Sequence, residues 1–108
     1  MNSFFDIRSN CVKIKADIKS RGLQFRGSGV LYPLDVAEGY DYVFTAQHIL
    51  KYDRKKALNA VLDKIETIEI DVFEDGHFVT YKTITKGNIA NSLLPIGEDF
   101  LIIRIDKS

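Results

Sequence analysis

Two side chains in this sequence could share the work of moving a proton: His48 and Asp99, 51 positions apart in a chain of 108 residues. Imidazole is the side chain whose ordinary pKa lies nearest neutrality, which suits it to take and return a proton. His48 follows the apolar, β-type run Tyr42-Val43-Phe44-Thr45-Ala46 and stands at the mouth of a helix. Asp99 stands directly before Phe100-Leu101-Ile102-Ile103. A carboxylate at the start of an apolar strand is partly desolvated and needs a partner. An imidazole N–H is a suitable one, because the carboxylate fixes the ring tautomer and stabilises the imidazolium. Read singly, each residue also has a plainer role. His48 can cap a helix or fill a polar gap in the core, and Asp99 can accept backbone N–H bonds at a strand start.

The other candidates are weaker. Ser28 lies between Gly27 and Gly29 and is a nucleophile on paper. A nucleophile elbow needs Gly-X-Ser-X-Gly followed by a helix, and this segment has neither. The glycines instead mark a strand that admits a neighbouring backbone. His77 follows Asp75-Gly76 and is expected at an exposed hairpin tip, inert. Cys11 reads as a small apolar filler, with no second thiol for redox chemistry. The two histidines share no ligand-type spacing, so no metal is expected. No phosphate-binding loop or dinucleotide fingerprint appears, so no cofactor is expected either.

These residues need elements to position them. Val12, Ile14, Ala16 and Ile18 alternate with Lys13, Lys15, Asp17 and Lys19, the pattern of a half-buried strand. A turn at Ser20-Arg21-Gly22 leads to a second strand, Leu23 to Leu31, and a third, Tyr40 to Phe44. Leu58, Val61, Leu62 and Ile65 then form the stripe of an amphipathic helix spanning about 53–65, with Asp53 as its N-cap. Lys55, Lys56 and Asp63 oppose its dipole, so it depends on tertiary packing. Ile68, Ile70 and Val72 return the chain to strand, and Asp75-Gly76 signals a hairpin. Phe78 to Ile84 is the returning strand. Lys86 to Glu98, rich in Gly, Asn and Ser and containing Pro95, reads as a loop. Phe100 to Ile105 is nearly all apolar, as for a strand covered on both faces. The expectation is an all-β domain over 1–108, a six-stranded antiparallel closed barrel with one inserted helix.

Bulk properties narrow the partners. Fifteen basic and fifteen acidic residues leave no formal net charge. Nothing therefore points to nucleic acid or an anionic membrane. A lone cysteine cannot build a disulfide framework. The N-terminus does not read as a signal peptide, and no apolar run approaches the ~20 residues that span a bilayer. A cytoplasmic location is expected.

Gly27-Ser28-Gly29-Val30-Leu31, Thr45-Ala46-Gln47-His48 and Asp99-Phe100-Leu101-Ile102-Ile103, in this order, resemble the chymotrypsin-like (trypsin-like) serine peptidases. That family has a Gly-Ser-Gly strand, a Thr-Ala-X-His motif and an Asp opening an apolar strand. The likeness runs from about Gly22 to Ile105. It implies the first of two six-stranded barrels, with His48 as general base and then acid and Asp99 as its orienting carboxylate. It also implies a peptide or protein substrate, and a C-terminal barrel carrying the serine nucleophile, the substrate pocket and the oxyanion donors. None of those maps onto this sequence, so the chain alone is expected to be inactive. Met1 is expected to be a native start without a pro-segment, as in intracellular bacterial or viral-type members. Two further departures stand out. Leu101 occupies the place, two after the Asp, where the family has a small residue, and the helix after the histidine is longer than the family's short turn. A non-catalytic, protease-like protein-binding domain is the alternative. Self-association through the surface meant for the second barrel is a third possibility.

Overall fold

The computed structural model describes residues 11–18, 22–33, 39–51 and 58–106. They form seven antiparallel strands. These are β1 (Cys11–Ile18), β2 (Leu23–Pro33), β3 (Tyr40–Ala46), β4 (Thr67–Glu74), β5 (His77–Thr85), β6 (Leu93–Ile96) and β7 (Phe100–Asp106). Their order in the sheet is β5-β4-β1-β2-β3-β7-β6. A 3-10 turn, Gln47–Leu50, follows β3 directly. Two short α-helices complete the set: α1 (Leu58–Val61), extended by a 3-10 turn at Leu62–Lys64, and α2 (Lys86–Ser92).

The alternating pattern of β1 is expressed in full: Val12, Ile14, Ala16 and Ile18 are buried, joined in one core by Val43, Ile68, Ile70, Leu101, Ile103 and Ile105. Leu58, Val61 and Ile65 enter the same core, with Leu62 packed beside it. The helical stripe therefore does what its spacing dictates. The expected helix over 53–65 is α1 plus its 3-10 extension in its described part; residues 52–57, with Asp53, Lys55 and Lys56, lie outside the described residues. The hairpin between β4 and β5 has φ of 51° at Asp75 and 87° at Gly76. Positive φ at both positions is the requirement of a two-residue turn whose twist suits a hairpin.

Two expectations change. The segment 86–98 is not a loop: it holds α2, whose Ile89 is buried, and β6, paired with β7 through Leu93↔Ile103 and Pro95↔Leu101. Proline is tolerated there because β6 is an edge strand, where a missing N–H need not break a ladder. The described strands thus number seven rather than six. Second, β7 is covered on one face only. Leu101, Ile103 and Ile105 are buried, while Phe100 and Arg104 are exposed. With Tyr32 on β2, Phe44 on β3, and Leu94 and Ile96 on β6, Phe100 forms an apolar outer face. Ring centroids stand 5.9 Å apart from Tyr32 to Phe44 and again from Phe44 to Phe100.

Among the described residues the sheet is not closed by a ladder: its edges are β5 and β6. A register irregularity between Ile70 and Asp71 leaves Tyr81 out of the β4–β5 pairing, and such a bulge bends the strand and re-aims its side chain. The Tyr81 hydroxyl donates to Asp41 Oδ2 at 2.5 Å, joining β5 to the buried start of β3. Helix α2 packs against β4, β5, β6 and β7. Among the described residues, no helix is long and apolar enough to cross a membrane.

Candidate active site

The pairing of β3 with β7 sets the geometry. Ala46 lies opposite Phe100, so the residues just beyond, Gln47 and Asp99, meet where the two strands end. The Gln47 N–H donates to the Asp99 carbonyl, extending the ladder by one step. The chain then tightens into the 3-10 turn and presents His48 to the Asp99 side chain.

Both oxygens of that carboxylate are used. His48 Nδ1 lies 2.9 Å from Oδ2, and the His48 backbone N–H donates to Oδ1 at 3.0 Å. A carboxylate accepts only, so in the neutral ring Nδ1 carries the proton and Nε2 the lone pair. No other residue among those described hydrogen-bonds the ring. The two side chains are half exposed, at 50% and 55%. The Asp99 carboxyl is held below the ordinary carboxylate range. The hydrogen bond from the His48 ring is the largest cause; desolvation, next in size, acts the other way, and the His48 backbone N–H and the charges of His48 and Lys51 lower the pKa further. The arrangement can orient an imidazole, leave one nitrogen able to accept a proton, and stabilise the cation that results.

The glycine strand is what lets the turn sit where it does. A Cβ on Gly27 would stand 2.5 Å from Ile49 Cγ2, and one on Gly29 would stand 2.9 Å from the Phe44 carbonyl oxygen. Ile49 rests on the bare backbone of β2, one residue after His48. Thr45 adds a hydrogen bond from its hydroxyl to the Ser28 carbonyl at 2.8 Å. Gly27-Ser28-Gly29 is therefore a seat for the histidine turn, as its strand context implies. Ser28 and His48 line the same open groove of about 640 Å³, with Phe25, Arg26, Ile49 and Lys51. No hydrogen bond among the described residues joins Ser28 to the ring.

His77 sits exposed at the β4–β5 hairpin, its Nδ1 3.3 Å from the Asp75 carbonyl oxygen and in no contact with the pair. Cys11 is a half-buried free thiol at the start of β1. Among the described residues, no cluster of three or more His, Cys, Asp or Glu side chains could hold a metal ion. Gln47 is the residue that sequence reasoning passed over. It is 4% exposed, and its side-chain amide donates to the carbonyls of Gly97 at 3.2 Å and Phe100 at 2.9 Å. Its only signal in the sequence is a polar residue set between Ala46 and His48 at a strand end.

Comparison with protein-family models, with curated proteins and with solved structures finds no match.

Proposed function

We propose that this chain is the N-terminal barrel of a trypsin-like serine endopeptidase, supplying the base and its orienting carboxylate. The observation that carries the reading is the two-point hold of Asp99 on His48, one oxygen on the ring Nδ1 and the other on the backbone N–H. A carboxylate that merely capped the turn would not need to engage the ring. In this reading a serine hydroxyl from a C-terminal barrel of the same protein gives its proton to Nε2 as it attacks the peptide carbonyl. Asp99 stabilises the imidazolium, and the proton then passes to the leaving amine. Attack and oxyanion stabilisation come from that second barrel, and a His–Asp pair lacking both does not turn over peptides.

The reading includes barrel closure. Taken as one strand interrupted by α2, β5 and β6 give six strands in a ring, with the first half paired to β4 and the second to β7. The Tyr81–Asp41 bond and the position of α2 support that curvature. The apolar outer face of Tyr32, Phe44, Phe100, Leu94 and Ile96 is the surface we assign to the second barrel; in its absence the same face would drive self-association. A cytoplasmic location belongs to the proposal and rests on the lone free thiol. The exposed aromatic face also favours a second reading, a protease-like domain that binds a partner protein without catalysis.

A fluorophosphonate probe of active-site serines separates the two. This chain alone is expected to stay unlabelled. The product of the complete coding sequence is expected to label, and His48→Ala in that product is expected to abolish labelling. Labelling of the chain alone overturns the two-barrel account. A folded longer product that takes no label favours the binding domain.

A further inference from the structure

We infer that Gln47 is a positioning residue for the pair: its buried amide holds the turn that carries Asp99 in register with His48. Three donors of this one residue reach three carbonyls around Asp99. The backbone N–H reaches Asp99 itself, and the side-chain amide reaches Gly97 and Phe100. Both partners of the amide are carbonyl oxygens, which only its NH₂ can address, so its orientation follows from the chemistry.

The need for such a clamp comes from what Asp99 lacks. It sits in the short turn Gly97–Asp99 between β6 and β7, and its side chain is 55% exposed. Its hydrogen-bond partners are on His48, which is itself half exposed. Gly97 adopts φ of 64°, a conformation of a tight turn rather than of a strand. An exposed carboxylate on a short turn at the edge of a sheet would exchange between rotamers and fray with the strand end. Gln47 prevents this from beneath, being buried while the pair above it is not. Its amide is neutral, so it fixes the carboxylate without competing for it or adding charge beside it. The residue that clamps Asp99 is also the immediate neighbour of His48, so backbone and side chain of one short turn define both halves of the pair.

The inference rests on His48 and Asp99 forming a working pair, and its test reads that pair without peptidase activity. In the folded chain, ¹⁵N shifts of the imidazole nitrogens report which one bears the proton, and ¹³C shifts report titration of the Asp99 carboxyl. The unaltered chain is expected to show Nδ1–H as the dominant neutral tautomer. Asp99→Asn sets the scale for a pair without its carboxylate. Gln47→Met keeps the volume and removes the donors. It is expected to move the tautomer balance at least about a third of the way to Nε2–H and to raise the Asp99 titration toward the ordinary range. Gln47→Asn keeps the amide but shortens its reach, and is expected to act in the same direction less strongly, which preserves the test if Gln47→Met does not fold. A folded Gln47→Met protein with a lower melting temperature and an unchanged ring tautomer makes Gln47 a packing residue only and overturns the inference. If Asp99→Asn itself leaves the tautomer unchanged, the pair fails, and the proposed function falls with it.

Discussion

Ile49 lies directly over Gly27, so close that a methyl group at position 27 would meet Ile49 Cγ2 at 2.5 Å. The side chain after the candidate base thus rests on a strand with no side chain of its own at that point. Gly27→Ala forces either Ile49 or β2 to move. Overpacking of this kind typically costs about 1–3 kcal/mol. We expect a lower denaturation midpoint and a weakened contact between His48 and Asp99, visible as increased exchange of the His48 backbone amide. Gly27→Ala combined with Ile49→Ala is expected to restore that amide's protection.

Removing the ring frees the carboxylate. In His48→Ala, the Asp99 carboxyl loses the chief cause of its lowered pKa and is expected to titrate closer to the ordinary value of 3.8, in a ¹³C titration. The sign of the linkage follows. A group whose folded pKa is depressed adds stability above its unfolded pKa and loses it as pH falls through the folded value. The difference in unfolding free energy between the unaltered chain and Asp99→Asn is therefore expected to be present near neutrality and to shrink as pH drops below 3.8. With Asp99 so exposed, the effect on stability is small, and the titration is the sharper readout.

The far side of the sheet titrates in the opposite sense. Hydrogen bonding to Asp41 pushes the Tyr81 hydroxyl up to about 12 from 10.0, with burial and the Asp41 charge adding to the shift. A raised folded pKa adds stability that is complete below pH 10.0 and disappears as pH climbs through about 12. Tyr81→Phe removes the hydroxyl from a buried carboxylate oxygen and is expected to cost about 1–3 kcal/mol at neutral pH. In urea titrations from neutral to strongly alkaline pH, the gap between the two proteins should narrow.

A substitution at the hairpin provides a control remote from the site. Gly76 holds φ of 87°, and a Cβ added there would meet nothing within 4 Å. Gly76→Ala adds backbone strain without a clash and is expected to cost about 1 kcal/mol or more. The His48 ring tautomer should not change. If it does, the β4–β5 hairpin and the site are coupled through the sheet.

Much of this architecture could be read from residue patterns, for identifiable reasons. Val12, Ile14, Ala16 and Ile18 alternate without interruption, and Asp75-Gly76 is a turn that few other pairs can make. The pairing of His48 with Asp99 was an expectation carried by the order of the glycine, histidine and aspartate motifs, and the β3–β7 register is what brings those strand ends together. β6 and α2 were hidden. Glycine, asparagine, serine and proline in 86–98 carry the composition of a loop, and only an edge position makes Pro95 acceptable in a strand. β7 misled for another reason: hydrophobicity does not distinguish a buried face from an apolar surface, and Phe100 and Ile102 belong to the outer side. The Tyr81–Asp41 hydrogen bond was hidden too, because it follows a register irregularity in the β4–β5 pairing that no local pattern announces. Gln47 was invisible because burial of an amide depends on carbonyls 50 and 53 positions away.

The register of β3 against β7 has a consequence for how the protein is made. Thr45↔Leu101 and Ala46↔Phe100 are the last rungs before the pair. His48 emerges from the ribosome long before Asp99 exists, and the two can meet only when the later strand has zipped onto the earlier one. A slip of a single rung would turn every side chain of that strand to the opposite face. The contact between His48 and Asp99 is thus a late one, made only once β7 has been synthesised and has paired with β3 in this register.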